Sequence, residues 1–261
     1  MAARGRRRTV SLRGISYALI LTWPLELVTP GIGDPLQSSF AVREAWQTVQ
    51  TYHHDLTQID RARDQLKTEV AGTPTVEALL LLSWLHFAWG DYRATTREAK
   101  LASYERGQDL AKLAIELAPR SPDAHLWYAA NLGRWAITKG KLRAAFVLST
   151  LRNEIHTILE LDPDHVPGLS LAGSFYLETP GLLGGDVSRA ERYLRHALAV
   201  DPRFTRARVE LARCLIEHGR YDEARGELQR VIEESRPTYR ADWAVEHRPM
   251  SERLLATIRE K

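Results

Sequence analysis

The chain has 261 residues, of which 44% are apolar and seven are tryptophan. This length and composition allow a substantial buried core and exclude a disordered protein. The net charge of +3 arises at the N-terminal end, because residues 1–31 hold five of the 36 basic residues and one of the 33 acidic residues, which leaves 31 and 32 for the rest. The chain after residue 31 is therefore nearly neutral, which gives no electrostatic basis for nucleic-acid binding. We predict that the protein does not bind nucleic acid.

The arginine-rich N-terminal segment is followed by about a dozen uncharged residues, at positions 14–25. This order is typical of an export signal, whose apolar core has roughly 7–15 residues, whereas a transmembrane helix needs ~20. We predict that residues 1–35 are an export signal or anchor with its linker, and that the protein is periplasmic or otherwise exported. An uncleaved leader would be its one membrane attachment. An untargeted basic leader is the alternative, and the export route, Sec or twin-arginine, is open.

From residue 38 onward apolar residues recur with helical spacing, and no long stretch alternates with the period of a half-buried strand. Five helical hairpins are predicted, with helices over residues 40–51 and 56–70, 75–91 and 103–118, 123–138 and 145–161, 166–177 and 186–200, and 205–218 and 221–233. The tail, residues 238–261, has one short helix near 251–259 that we expect to cap an exposed end.

A proline follows the second helix of each hairpin, at Pro74, Pro119, Pro163, Pro202 and Pro237. The intervals of 45, 44, 39 and 35 residues approach the ~34-residue period of a tetratricopeptide repeat. A small residue recurs at the third packing position of the first helix, as Ser83, Ala129, Gly173 and Ala212. Close helix packing needs such residues. We therefore predict an all-α, tetratricopeptide-like solenoid of about five hairpins over residues 36–237, with a short C-terminal capping helix.

The length beyond 34 residues falls between the two helices of a hairpin, so we expect insertions along one edge of the solenoid. The shortest, within residues 178–186, contains Gly184 and Gly185. We interpret these glycines as turn residues before a helix capped by Asp186, with Ser188 as the alternative cap. The segment lacks the Lys-Ser/Thr of a phosphate-binding loop.

Sequence motifs of catalysis and metal binding are missing. The one cysteine, Cys214, allows no intramolecular disulfide and no paired-cysteine site. His53 and His54 are adjacent and would point apart on a helix, and no histidine forms an HxxxH set. We predict no catalytic residue, metal or cofactor, and interpret the protein as not an enzyme.

The repeat register predicts which side chains face the concave groove of the solenoid. We assign ligand binding to five of them: Trp84, Phe87, Arg134, Leu177 and Arg213. A groove with an apolar first half and two arginines further along suits an amphipathic anion or an apolar peptide. The alternative is that Trp84 and Phe87 belong to the core.

Two segments carry a resemblance to a known family: AHLWYAANLGRWAITKG at residues 124–140 and ETPGLLGGD at 178–186. With the Asp-Pro helix ends, they resemble the TatT-type T-components of TRAP transporters over about residues 45–235. The resemblance implies a periplasmic solenoid with an apolar cavity or pore that acts beside a substrate-binding protein. Family members are commonly lipoproteins, whereas no cysteine follows the apolar leader here.

Pattern and resemblance together predict a non-catalytic, exported scaffold. We expect it to bind a protein partner, such as a periplasmic substrate-binding protein, or an apolar or amphipathic small ligand, as an accessory of a TRAP-type transporter. The alternative is a structural assembly factor that works through the insertions in the repeats and binds no small ligand.

Overall fold

The computed structural model describes residues 39–261, apart from the side chain of Lys141. The predicted leader therefore lies outside the described residues. The part of the chain that is described contains helices and no strand, which confirms the all-α prediction. The helices are α1 (Phe40–Thr51), α2 (Gln58–Gly72), α3 (Val76–Tyr92), α4 (Arg97–Leu117), α5 (Pro122–Lys139), α6 (Lys141–Leu161), α7 (Val166–Glu178), α8 (Val187–Val200), α9 (Thr205–Glu217), α10 (Tyr221–Glu233), α11 (Arg240–Asp242) and α12 (Arg248–Thr257).

Side-chain caps fix where half of these helices begin. Ser39, Thr75, Thr96 and Ser121 each accept a hydrogen bond from the backbone N–H three residues on, at the start of α1, α3, α4 and α5. Asp186, and not Ser188, caps α8, with its carboxylate 2.9 Å from the Arg189 nitrogen.

The helices pair into antiparallel hairpins that stack in sequence. The first helices, α3, α5, α7 and α9, contact one another in succession, and their hairpin partners α4, α6, α8 and α10 form the outer layer. The small residues at the predicted packing positions are all buried. The Ser83 hydroxyl lies 2.8 Å from the Gly107 carbonyl oxygen, and Gly173 faces Leu194, so helices do approach closely there.

The length beyond the repeat period lies at the hairpin turns, as predicted, but most of it is helical rather than loop. Helices α3 to α6 have 17, 21, 18 and 21 residues, whereas α7 to α10 have 13, 14, 13 and 13. Gly140, with φ 112°, is the single residue between α5 and α6. Hairpins two and three are therefore longer than those that follow them. The longest non-helical connection among these hairpins follows α7, with one 3₁₀ turn at Gly181–Leu183.

The C-terminal tail is helical from Arg240, well before the predicted start near residue 251. A π-helical turn, Trp243–His247, joins α11 to α12. The tail packs on α9 and α10, where Trp243 and Met250 contact Val209 and Val231. It also reaches back to the first hairpins, because the Tyr52 hydroxyl, just after α1, donates a hydrogen bond to the Asp242 carboxylate. The tail thus does more than cap one end: it connects the two ends of the solenoid.

Candidate functional site

A cavity of about 470 Å³ opens between α5, α6, α7 and the loop that follows α7. On the α5 side it is lined by small residues: Ala129, Ala130, Gly133 and Ala136. On the α6 side it is lined by alanine and larger aliphatic residues: Ala144, Val147, Leu148 and Leu151. The size is that of a small-molecule pocket, typically ~300–1,000 Å³.

The cavity exists because α6 separates from α7. These two helices touch far less than α4 and α5 or α8 and α9, the equivalent pairs of neighbouring hairpins. None of the residues 142–150 is buried, and the buried part of α6 starts at Leu151. Two large side chains on this first half, Leu142 and Phe146, are 77% and 70% exposed. The apolar first half of α6 therefore lies beside an apolar cavity and is not packed into the core.

The loop after α7 closes one side of the cavity through Thr179, Pro180 and Leu183. Gly184 has the positive φ expected of a turn glycine, whereas Gly185 is needed for the close approach of another backbone segment. Gly184 has a φ of 96°, and a Cβ on Gly185 would lie 1.7 Å from the Thr179 carbonyl oxygen.

Among the residues that the structure describes, Glu178 at the end of α7 supplies the one carboxylate that lines the cavity. It accepts a hydrogen bond from the Arg213 guanidinium, which also binds Glu210 at 2.7 Å. Burial raises the pKa of the Glu178 carboxyl to about 7, because desolvation outweighs the opposing effect of Arg213 and the nearby Glu210 adds to it. A carboxyl of this kind is partly protonated at neutral pH.

Two of the predicted binding residues, Trp84 and Phe87, are each 1% exposed and lie in the core. Their surroundings agree with the alternative interpretation of these two side chains. The Trp84 ring lies 6.2 Å from the Tyr52 ring, and the Phe87 ring lies 5.9 Å from that of Trp127. Neither lines the cavity.

The two predicted arginines take part in partly buried ion pairs. Arg134 binds Asp91, with Nε 3.1 Å from the carboxylate, and lies over the Phe87 ring at 5.6 Å. Arg213 binds Glu178 at the cavity, as described above. Leu177 is half-buried against the core. The structure therefore brings Arg213 to the edge of the cavity through Glu178, and leaves the other four residues apart from it.

The concave groove is covered by the C-terminal tail. Arg206 on α9 lies between Glu210, at 3.1 Å, and Glu246 of the tail, at 3.2 Å. The Tyr92 hydroxyl of α3 lies 3.2 Å from the same Glu246 carboxylate. Contacts between residues 154 positions apart have no local signal in the sequence. The repeat register predicts which side of each helix faces the groove, and it carries no information on the segment that packs there.

The family resemblance implied an apolar cavity, but sequence reasoning placed the binding residues in the concave groove and assigned none to the cavity between α5, α6 and α7. A usable signal was present, since the third hairpin carries alanine, glycine and aliphatic residues around Gly140, where the repeat has surplus length. The segments at residues 124–140 and 178–186, which carry the family resemblance, both contribute lining residues.

None of the helices among residues 39–261 is both long and apolar enough to span a bilayer. Within the same residues no three His, Cys, Asp or Glu side chains converge as a metal site.

Comparison with known proteins identifies the fold. The sequence model of the tetratricopeptide repeat family matches residues 182–242. A thermophilic TPR protein of Thermus thermophilus is 19% identical, with a TM-score of 0.60 over 80% of this chain and 96% of that one. MamA of Desulfovibrio magneticus is 14% identical, with a TM-score of 0.44 over 75% of this chain and 95% of its own. A search of curated proteins gave no match. The chain is thus an all-α solenoid with the tetratricopeptide repeat fold, and residues 182–242 carry that family's sequence pattern.

Proposed function

We propose that the protein is a non-catalytic scaffold that binds an apolar ligand in the cavity between α5, α6 and α7. One observation carries the proposal: the two segments that resemble TRAP transporter T-components, residues 124–140 and 178–186, both line this cavity. That resemblance implies an apolar cavity, and the described residues of the lining are apolar apart from Glu178 and Thr179. The concave groove, in contrast, is covered by the protein's own tail.

Filling the cavity tests this proposal. Ala144 is half-buried on α6 and lines the cavity, so Ala144→Phe places a ring in the space that a ligand needs. We expect the affinity for an apolar dye, N-phenyl-1-naphthylamine, to fall about tenfold or more, measured by fluorescence titration. The matched control is Ala102→Phe at an exposed position of α4, which should bind as the unmodified protein does. Equal binding by both variants would contradict a ligand site in the cavity.

The apolar first half of α6 supports a protein partner beside the ligand. Leu142 and Phe146 are exposed there, and Leu182 in the neighbouring loop is fully exposed. A cluster of exposed large apolar side chains marks an interaction surface. We place the protein in the periplasm, on the basis of the predicted leader, as an accessory of a TRAP-type transporter whose substrate-binding protein docks at this surface.

A capture experiment tests the partner. The protein, immobilised after expression with its own leader and recovery from the cell envelope, is exposed to periplasmic extract, and bound proteins are identified by mass spectrometry. We expect a TRAP substrate-binding protein to be retained, and Phe146→Asp to lose it. Phe40→Asp is the matched control, since Phe40 is equally exposed, at 69%, but lies on α1. Equal retention by the two variants, or capture of a different class of protein, would contradict the transporter role.

An assembly factor without a small ligand is the second candidate. It is favoured by the exposure of the same apolar residues, Leu142, Phe146 and Leu182, at hairpin turns. Loss of the partner with Phe146→Asp, combined with no dye binding by the unmodified protein, would support it over the first proposal.

A further inference from the structure

The cavity has the size and lining for one aliphatic chain. Its volume of about 470 Å³ is roughly three times the ~150 Å³ of a cavity that holds benzene, so roughly 18 non-hydrogen atoms fit. Phe175 is the one aromatic side chain among the described residues that line it, and the others are mostly alanine, glycine and branched aliphatic residues. An aromatic ligand can enter such a surface through apolar contact alone, and a flexible aliphatic chain can follow its contours. A lipid with two long chains exceeds the volume.

A cationic side chain, that of Arg152, lies at the rim of this cavity. Arg152 follows the lining residue Leu151 on α6, and its own side chain is exposed. Its guanidinium carbon lies 5.8 Å from the centre of the Phe175 ring, and Nη2 donates a hydrogen bond of 3.3 Å to the Leu183 carbonyl oxygen. Both of those residues line the cavity, so the guanidinium is held beside it from two sides.

Most N–H donors of the Arg152 guanidinium are available to a ligand. The hydrogen bond to Leu183 uses one of its five N–H donors. Ion pairs among residues 39–261 occupy Arg134, Arg206 and Arg213 but give Arg152 no carboxylate partner. The planar donor pattern of guanidinium matches carboxylate and phosphate oxygens.

We propose that the cavity binds a single unbranched alkyl chain with an anionic oxygen head group, carboxylate or phosphate, and that Arg152 binds the head group at the rim. The inference rests on the proposed function, because it requires the cavity to be a ligand site. Glu178 is the other charged group at the cavity, and its carboxyl is already bound by Arg213. A second anion is therefore better placed at Arg152 than beside Glu178.

Calorimetric titration of the delipidated protein with three probes of equal chain length tests the assignment. The probes are dodecanoate, dodecyl phosphate and neutral dodecan-1-ol. Arg152→Gln removes the charge, and we expect it to weaken binding of dodecanoate about tenfold or more, because hydrogen bonds to charged groups are the strong ones. Dodecanol should bind the variant and the unmodified protein alike. Arg152→Lys, which keeps the charge, should recover part of the loss. Comparing the first two probes identifies the preferred head group.

Arg248→Gln is the matched control, since Arg248 is also an exposed arginine over an aromatic ring, 5.4 Å from that of Trp243, but it lies on α12. It should leave all three titrations unchanged. Binding of dodecanol and dodecanoate with equal affinity, unaffected by Arg152→Gln, would overturn the head-group role and leave the cavity site intact. An equal loss for all three probes would also overturn it, because it would indicate a structural effect. If none of the three probes binds the unmodified protein, and the Ala144→Phe variant gives the same titration curves, the cavity is not a ligand site.

Discussion

Replacing Arg206 with methionine is expected to lower the free energy of unfolding by about 3–5 kcal/mol. The Arg206 side chain is 4% exposed and lies between two carboxylates that are nearly as buried, those of Glu210 and Glu246. Methionine has a comparable length but no charge, so both carboxylates would lose a buried cationic partner. The loss of a partner, rather than the net value of the ion pairs, sets the size of this effect.

Chemical denaturation followed by circular dichroism measures the change. Arg230→Met is the matched control, because Arg230 pairs with Glu227 at the surface and its side chain is 62% exposed. Surface ion pairs contribute about 0–1 kcal/mol, so this variant should stay within about 1 kcal/mol of the unmodified protein. A similar loss in both variants would show that the network around Arg206 has no special role. Adding Glu246→Gln to Arg206→Met should restore part of the stability, since it removes the charge of a carboxylate that loses its Arg206 partner, whereas Glu210 keeps its ion pair with Arg213.

This network also explains why the groove could not be read from the sequence. The repeat register depends on residues a few positions apart, and it placed Trp84, Phe87, Arg134 and Arg213 on the inner face of the solenoid. The C-terminal tail covers that face, and it is held there by contacts such as the hydrogen bond from Tyr52 to Asp242, which is 190 positions away. Concave surfaces of repeat proteins are expected to be open only if no other segment of the chain packs there.

The fold itself was predictable because its signals are local and repeated. Helix caps such as Thr75 and Asp186, the prolines after each hairpin and the small packing residues recur from hairpin to hairpin, at intervals that shorten towards the repeat period. The lengths of α4 and α6 were not predictable in the same way. Surplus residues at a hairpin turn can form a loop or extend both helices, and the choice depends on packing between neighbouring hairpins. The cavity results from that choice, since it forms where the extended α6 separates from α7.

The close approach of α7 to α8 leads to a second large effect on stability. A Cβ on Gly173 would lie 2.5 Å from Cγ and 2.6 Å from Cδ2 of Leu194, which is fully buried. Gly173→Ala should therefore force the two helices apart and lower the free energy of unfolding by about 2 kcal/mol, within the usual cost of overpacking. This net loss is expected although alanine favours a helix over glycine by about 1 kcal/mol.

Gly226→Ala isolates that helix-propensity gain. Gly226 lies within α10, it is exposed, and no atom would lie within 4 Å of an added Cβ. The same substitution there should raise the free energy of unfolding by about 1 kcal/mol, so the two variants should differ by about 3 kcal/mol in denaturant titrations. Equal stability of the two would mean that α7 can move away from α8 without cost. Because α7 also carries Phe175 and Glu178, such freedom would loosen one wall of the cavity, and the separation of α7 from α6 would no longer be fixed by its packing on α8.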